Sequence, residues 1–424
     1  MLTTPRGTRD FTSEEMHKRN LLLDAMKQTF LAYGYAEIQT PTFEHLELFT
    51  KKSGASIVEE LYTFTDKGGR DLALRPELTA PVIRLYNEQL QVQPKPLKLF
   101  YFGNCFRYDR PQKGRYREFW QIGCELLGSD SPEAIAELIA LAFHVLSDVG
   151  LKDIVLRIGQ VKLLSIQVQL VKDSLKEEEK DSFDIALVLR LIDKEDFEEV
   201  EKYFYDKGCP EHVVTRFFSF LECKTSDAVA GFFHEGQQLT IVKQYQKVLG
   251  FLPDLKVDAV EVDMRIARGL DYYTGIVFEI DAPVLGAEKQ LCGGGQYELI
   301  GQLGGNELAS SGFAIGFDRT LLALESEQFK FTPPRLDVFI IPVTKDQLPP
   351  ALRLCQELRN QKKSVDIDLL RRGIGKGLKY ANSKNATFAV IIGEKEVEQN
   401  KVTLRNMSSG EQVTISSSEI INYM

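Results

Sequence analysis

Apolar positions along this chain change their spacing several times, and each change marks an element. Between Glu14 and Tyr33, the residues Leu21, Leu22, Ala25, Met26, Thr29 and Phe30 fall at helical spacing, and Gly34 follows as a stop signal. Tyr35 to Thr40 then reads as a strand closed by Pro41. Two apolar runs, Leu97 to Phe106 and Phe119 to Leu127, read as strands on either side of a polar loop. From about Lys172 to Leu255 the texture is acidic and helical. Ile185, Val188, Leu189 and Ile192 recur at three and four there, and Phe197 to Tyr205 continues the pattern. This predicts a helical insertion over residues 172–256 of a larger domain. Strand-like sequence resumes at Val257 to Ile266 and again at Ile276 to Ile280.

Near residue 330 the pattern breaks. Phe331-Thr332-Pro333-Pro334 is a short proline-containing linker. Beyond it strands and helices alternate: strand Asp337 to Pro342, helix Pro349 to Gln361, strand Ser364 to Asp368, helix Gly375 to Asn382, strand Phe388 to Ile392. Such alternation predicts a small three-layer α/β domain with a mixed sheet. The expected division is residues 1–330 and 331–424, in a chain of 424 residues that is long enough for two or three domains.

Composition removes several classes. No run of about 18 or more uncharged apolar residues occurs, so no membrane-spanning helix is predicted. The most apolar helix candidate, Ala134 to Leu146, carries Glu137 and is too short to span. The opening residues Met1 to Gly7 lack the apolar core of a secretion signal, which makes the cytoplasm the expected location. Cys105, Cys124, Cys209, Cys223, Cys292 and Cys355 follow no paired spacing, and the histidines make no i, i+3 or i, i+4 pair. Reduced, buried thiols and no structural metal are expected. Net charge is −9, yet residues 335–424 carry 14 Lys+Arg against 10 Asp+Glu, while the remaining 334 carry 38 against 51. A basic C-terminal module on an acidic body is what an RNA contact confined to part of the surface would give.

Several segments carry residues suited to chemistry. Phe106 to Gln121 holds Arg107, Arg110, Lys113, Arg115 and Arg117 between the two strands. Arginine stays charged and offers a planar fork of donors that matches phosphate oxygens, so this loop suits a polyanion; a solvated charged hairpin is the plain alternative. On the strand after the loop, Gln121 and Glu125 lie four apart and point to one face. In Leu74-Arg75-Pro76-Glu77-Leu78-Thr79, an extended backbone would put Glu77 and Thr79 on the same side, where carboxylate and hydroxyl suit an ammonium group. Either residue would equally serve as the cap of a helix from Ala80 to Leu85. Arg268-Gly269-Leu270-Asp271-Tyr272-Tyr273-Thr274-Gly275 sets an arginine and a tight turn before a tyrosine pair. Gly293-Gly294-Gly295-Gln296-Tyr297 opens a glycine-rich stretch with no Lys-Ser or Lys-Thr behind it, so it is not a P-loop. Ser311 to Arg319 is a small-residue strand leading into a helix, and Arg371 to Gly377 is a basic turn fitted equally to phosphate contact or to solubility.

Taken in order, these segments resemble the histidyl members of the class II aminoacyl-tRNA synthetases. The helix, glycine and strand from Glu14 to Thr40 resemble motif 1, Phe106 to Gln121 resembles motif 2, and Ser311 to Arg319 resembles motif 3. Arg75 to Thr79 matches an Arg-Pro-Glu-x-Thr segment, and Arg268 to Gly275 resembles a signature special to the histidyl enzymes. The C-terminal alternation looks like the anticodon-binding domain of several class IIa synthetases. Departures from the family pattern are Leu78 for glycine, Asp109 for glutamate, Trp120 for histidine and Gln296 for arginine.

The resemblance implies an α+β fold. It would comprise an antiparallel six-stranded catalytic sheet flanked by helices, a helical insertion and a C-terminal α/β anticodon-binding domain. It also implies a homodimer joined through motif 1, with ATP and Mg²⁺, L-histidine and tRNA(His) as the molecules handled. The implied reaction joins histidine to ATP as histidyl-adenylate, then moves it to the 3′ end of tRNA(His). By the same resemblance Arg107 contacts the α-phosphate, Arg268 lies between that phosphate and the histidine carboxylate, and Arg319 meets the γ-phosphate. Glu77 and Thr79 hold the amino group, Gln121 and Glu125 the amino acid, with Glu125 reaching an imidazole nitrogen. Tyr272 and Tyr273 wall the imidazole pocket, and Tyr297 stands near the substrate. The alternative is a non-catalytic regulatory paralogue that partners ATP phosphoribosyltransferase. Such a paralogue normally lacks the anticodon-binding domain and has an eroded histidine signature, whereas this chain carries both.

Overall fold

The computed structural model describes residues 2–109, 115–234, 236–267 and 273–423. The chain forms two compact units, Met1–Thr12 with Lys18–Lys330, and Phe331–Met424 with Ser13–His17. In chain order the strands of the first unit are β1 (Ala36–Ile38), β2 (Phe43–His45), β3 (Thr63–Thr65), β4 (Asp71–Leu74), β5 (Leu97–Phe106), β6 (Glu118–Leu127), β7 (Val155–Gln160), β8 (Val260–Val262), β9 (Tyr273–Asp281), β10 (Gln290–Tyr297) and β11 (Ser310–Gly316). Among the described residues, eight of them form one sheet in the order β1-β5-β6-β11-β10-β9-β7-β8, and β2-β4-β3 form a small side sheet. The six central strands of the large sheet pair antiparallel, as expected for the α+β fold. At the edges β1 joins β5 and β8 joins β7 in parallel. These edge strands span three residues each, too few to leave a periodic trace in the sequence.

Packing explains the patterns along the chain. Helix Ser13–Ala32 buries Leu22, Met26 and Phe30, and Phe30 stacks on Phe100 of β5 with ring centroids 5.0 Å apart. Gly34 ends this helix at φ +77, and Tyr35 N bonds back to Phe30 O at 3.1 Å. A left-handed residue here turns the chain while satisfying the last carbonyls, which glycine does without strain. Helix Pro132–Ser147 is apolar because it is buried along much of its length, at Ile135, Leu138, Ile139, Leu141 and Leu146. Ser131 caps it, its Oγ accepting from Ala134 N at 3.3 Å.

The helices of this stretch run from Val161–Asp173, ahead of the acidic sequence, to Gln237–Phe251. Phe204, Phe217, Phe220 and Phe233 are buried within it, and Tyr245 Oη donates to Ile158 O of β7 at 2.9 Å. The strand expected from Val257 to Ile266 shrinks to β8 because Asp263 turns the chain. Its Oδ1 accepts from Arg265 N at 3.1 Å and from Arg265 Nε at 2.7 Å. The next strand is longer than expected: β9 starts at Tyr273 and has partners on both sides, β7 and β10.

The second unit has strands β12 (Leu336–Pro342), β13 (Val365–Ile367), β14 (Ala386–Ile392), β15 (Lys401–Asn406) and β16 (Gln412–Ser416) in the mixed sheet β13-β12-β14-β15-β16. Alternate residues of β12 go to opposite faces. Val338 and Ile340 pack with Leu354 and Leu358 of helix Leu348–Asn360, while Phe339 and Ile341 pack with Ala381 of helix Ile374–Ser383. Three layers result, with β15 and β16 extending the sheet beyond the predicted strands.

Candidate active site

Small residues on β10 and β11 leave room above the large sheet. Gly293, Gly312, Ala314 and Gly316 all line a cavity of about 570 Å³. Glu77, Thr79, Arg107, Gln121, Glu125, Tyr273, Tyr297 and Arg319, drawn from separate segments, line the same cavity. Arg268 and Tyr272 lie outside the described residues.

Glu125 sits in the wall of this cavity with no exposed surface. Tyr101 Oη donates to its Oε1 at 3.1 Å and Tyr297 Oη to its Oε2 at 2.5 Å. Burial pushes the Glu125 carboxyl up to about 8, and the charge of Glu77 adds to the rise; the hydroxyls of Tyr297, Thr79 and Tyr101 oppose it. The group is therefore poised near neutrality, acceptor or donor according to what it faces. Gly312 is required opposite it, because a Cβ there would run into Glu125 Oε2 and lie 2.5 Å from Cys124 O. Gln121 lies two β6 repeats away on the same face, its Oε1 accepting from Cys105 Sγ at 3.4 Å. Burial drives the Cys105 thiol up to about 12, so it stays protonated and is no nucleophile.

The Glu77 segment folds differently from an extended strand. Thr79 is the first residue of helix Thr79–Leu85, and the Glu77 carboxylate caps that helix, accepting from Thr79 N at 2.5 Å and Ala80 N at 3.1 Å. The helix-capping alternative thus describes the local geometry, since a carboxylate satisfies backbone donors and complements the helix dipole. Both side chains still line the cavity. Arg75 locks this corner from behind: Nε donates to Asn104 O and Nη1 to Thr40 O, both at 2.8 Å.

Cations gather at another part of the wall. Arg107 Nε donates to Pro76 O at 3.0 Å, and its guanidinium lies 5.3 Å from the Phe119 ring. Arg319 Nη1 donates to Gln290 O at 3.0 Å and Nη2 to Glu288 Oε2 at 2.6 Å. Arg115 Nε stands 3.9 Å from the same Glu288 oxygen. Burial lowers the Arg319 pKa, Glu288 raises it, and the nearby charges of Arg115 and Arg107 lower it further. Arg115 and Arg107 thus both stand close enough to Arg319 to act on its charge, an arrangement suited to an anion with several oxygens.

Sequence reasoning did not single out Tyr101, Asp318 or Glu288. Tyr101 is hidden in an apolar strand, and its hydroxyl acquires meaning only across the sheet. Asp318 is buried beside Arg319, and its carboxylate accepts from Arg9, Arg19 and Trp120 N. Its signal was the Asp-Arg pair at a helix start, of which only the arginine was weighed. Among the described residues no group of three or more His, Cys, Asp or Glu side chains could hold a metal ion.

The family described as Histidyl-tRNA synthetase matches residues 7–320. The chain belongs to the histidyl-tRNA synthetase family. A second family, described as Anticodon binding domain, matches residues 337–424, so this member of the histidyl-tRNA synthetases carries such a domain at its C-terminal end. It is 46% identical over 425 residues to the histidine–tRNA ligase of Methanosarcina acetivorans, covering 98% of this chain and 97% of the relative. It is 42% identical over 422 residues to that of Archaeoglobus fulgidus, with 99% and 98% covered. Among solved structures, apo histidyl-tRNA synthetase of S. aureus superposes with a TM-score of 0.74 at 30% identity, covering 100% of this chain and 99% of that one.

Proposed function

We propose that this chain is a histidine–tRNA ligase that activates histidine with ATP and transfers the histidyl group to tRNA(His). The observation that carries the reading is the single cavity that joins a buried Glu125, held by Tyr101 and Tyr297, to Arg107, Arg115 and Arg319. Full-length relatives named histidine–tRNA ligase support it over a regulatory paralogue. Residues 1–330 form the catalytic domain, with the insertion at about 172–256, and residues 331–424 form the anticodon-binding domain. The enzyme works in the cytoplasm as a homodimer joined through the helix and strand before Pro41.

Chemistry follows from placement. Glu77 and Thr79 take the substrate ammonium, and Glu125 takes an imidazole nitrogen, with Gln121, Tyr272, Tyr273 and Tyr297 completing the pocket. A site that hydrogen-bonds both ring nitrogens rejects amino acids lacking them by roughly 10⁴ or more. A histidine carboxylate oxygen attacks the α-phosphorus; the bond from phosphorus to the bridging oxygen breaks, and pyrophosphate leaves. Arg107 and Arg268 neutralise the charge that develops on the α-phosphoryl oxygens, and Arg319 holds the γ-phosphate. The terminal ribose hydroxyl of tRNA then attacks the histidyl carbonyl, and AMP departs. No covalent enzyme intermediate is needed; alignment and charge stabilisation suffice.

Mg²⁺ fits this site as a companion of ATP. Glu279 lines the cavity, its carboxylate already engaged by Arg157 at 2.7 Å and Gln290 at 2.8 Å, while Glu288 stands outside the lining, paired with Arg319 at 2.6 Å. That donor set suits a metal bound mainly by phosphate oxygens and water, with Glu279 able to add one ligand. When bound, the ion neutralises triphosphate charge.

The test is histidine-dependent ATP–pyrophosphate exchange by the wild type and Arg268→Ala, with the other amino acids as controls. Exchange with histidine alone, lost in the variant by a factor of roughly 10² to 10³, is the expected result. Folded protein that binds histidine yet gives no exchange with any amino acid would return the reading to the regulatory paralogue.

A further inference from the structure

The segment Gly7 to Phe11 precedes the first helix and has no part in the reaction described above, yet it packs against Tyr116, Trp120 and Asp318, which line the cavity. Gly7 O accepts from Arg117 N at 2.9 Å, which fastens the segment to the end of the arginine-rich loop. Gly7 has φ +86, and a Cβ there would come 2.7 Å from Arg117 Cγ, so the close approach requires glycine. Two residues on, Arg9 does two things at once. Its Nη2 donates to Asp318 Oδ1 at 2.8 Å, and its guanidinium carbon stacks 3.4 Å from the centroid of the Tyr116 ring. Tyr116, Asp318 and Arg319 all line the cavity.

Asp318 is the anchor of this arrangement. Arg19 Nη1 donates to its Oδ1 at 2.6 Å and Trp120 N to its Oδ2 at 2.8 Å. Phe11 meets the Trp120 ring edge-on at 5.3 Å, and the Arg19 guanidinium lies 4.1 Å from Phe11. The loop that carries Arg107 and Arg115 and the helix start that carries Arg319 are separate in sequence. Arg9 bridges them, with Tyr116 on one side and Asp318, next to Arg319, on the other.

We propose that Arg9 is a positioning residue for ATP: by clamping Tyr116 to the Asp318 corner, it fixes the spacing between the loop arginines and Arg319. The proposal rests on the reading of those arginines as the phosphate seat. It also predicts selectivity between substrates. Glu125 lies five residues along β6 from Trp120, roughly 17 Å at about 3.4 Å per residue, so the imidazole end of the histidine pocket is outside the reach of the clamp, and Gln121, next to Trp120, is the pocket residue nearest to it.

The experiment uses the full chain as wild type, Arg9→Ala, Arg9→Lys, Tyr116→Ala and the double Arg9→Ala/Tyr116→Ala. ATP–pyrophosphate exchange gives KM for ATP and for histidine, calorimetry gives direct ATP and histidine affinities, and thermal melts give stability. Arg9→Ala is expected to raise the KM for ATP by roughly ten- to a hundredfold while the histidine KM stays within about twofold. Arg9→Lys, which keeps the charge on Asp318 but loses the planar stack, recovers part of the loss. The double variant adds little to the larger single effect, because the two side chains act as one contact. Unchanged ATP affinity, additive losses, or ATP and histidine affinities falling together with the melting temperature would each overturn the clamp. If the wild type lacks histidine-dependent exchange, the ligase reading fails. The clamp then stands or falls on whether Arg9→Ala weakens ATP binding in the calorimeter.

Discussion

Glu125 has an ordinary carboxyl value of 4.5 outside the fold, and burial pushes it to about 8 inside. The unfolded chain therefore releases this proton at lower pH than the folded chain, and between those values the folded state holds more protons. Stability owed to neutral Glu125 is full below the unfolded value and is lost as pH rises through about 8. Glu125→Gln cannot ionise, so melts of the ligand-free variant should lack the decline that the wild type shows between these limits. The same change replaces a carboxyl that can pair with an imidazole nitrogen by an amide, and the KM for histidine should rise by roughly ten- to a hundredfold. A variant that loses the pH slope but keeps the histidine KM would separate Glu125 from the substrate. Glu125 and Gln121 were legible because a strand makes residues four apart share a face. Tyr101 was not, since nothing in Phe100-Tyr101-Phe102 distinguishes a hydroxyl aimed at Glu125 from an ordinary core tyrosine.

Short elements decide how the arginines are held before ATP arrives. Pro283–Glu288, between β9 and β10, makes short 3-10 turns on either side of a kink at Gly286, φ +62, and it delivers Glu288 to Arg319. An anion on the arginine proposed to hold phosphate must yield when phosphate comes. Glu288→Gln keeps the size and removes the charge, so ATP should bind roughly two- to fivefold more tightly by calorimetry, the scale of one partly exposed ion pair. Weaker ATP binding would mean instead that Glu288 steadies Arg319 in its working position. The long hairpin of β5 and β6 was readable from two apolar runs, and its neighbour at Thr79 was not. There a carboxylate two residues before the helix made capping and extension equally good local solutions, and the backbone took the cap. The turn at Asp263 escaped in the same way, because a side chain binding its own backbone interrupts a strand without altering its apolar pattern.

Charge is unevenly shared over the whole molecule, and salt exposes the consequence. Residues 335–424 carry 14 Lys+Arg against 10 Asp+Glu in a chain of net charge −9, so the electrostatic attraction for RNA is concentrated in the anticodon-binding domain. The alternation that predicted this domain was easy to read because each element buries a face against a neighbour close in sequence. The basic turn before helix Ile374–Ser383 remained undecided, since phosphate contact and solubility place the same residues on a surface. Lys376 and Lys379 are exposed on that helix, which follows Leu369 and Leu370 in sequence, and these leucines are 71% and 73% exposed. Large apolar side chains beside cations suit unstacked bases better than bulk water. Lys376→Gln with Lys379→Gln should therefore raise the KM for tRNA, and should flatten the dependence of log KM on log salt by about one to two. Histidine-dependent pyrophosphate exchange uses no tRNA and should be unchanged in the same preparation. A tRNA KM that keeps its full salt slope would place the phosphate contacts on other residues and leave these lysines to solubility.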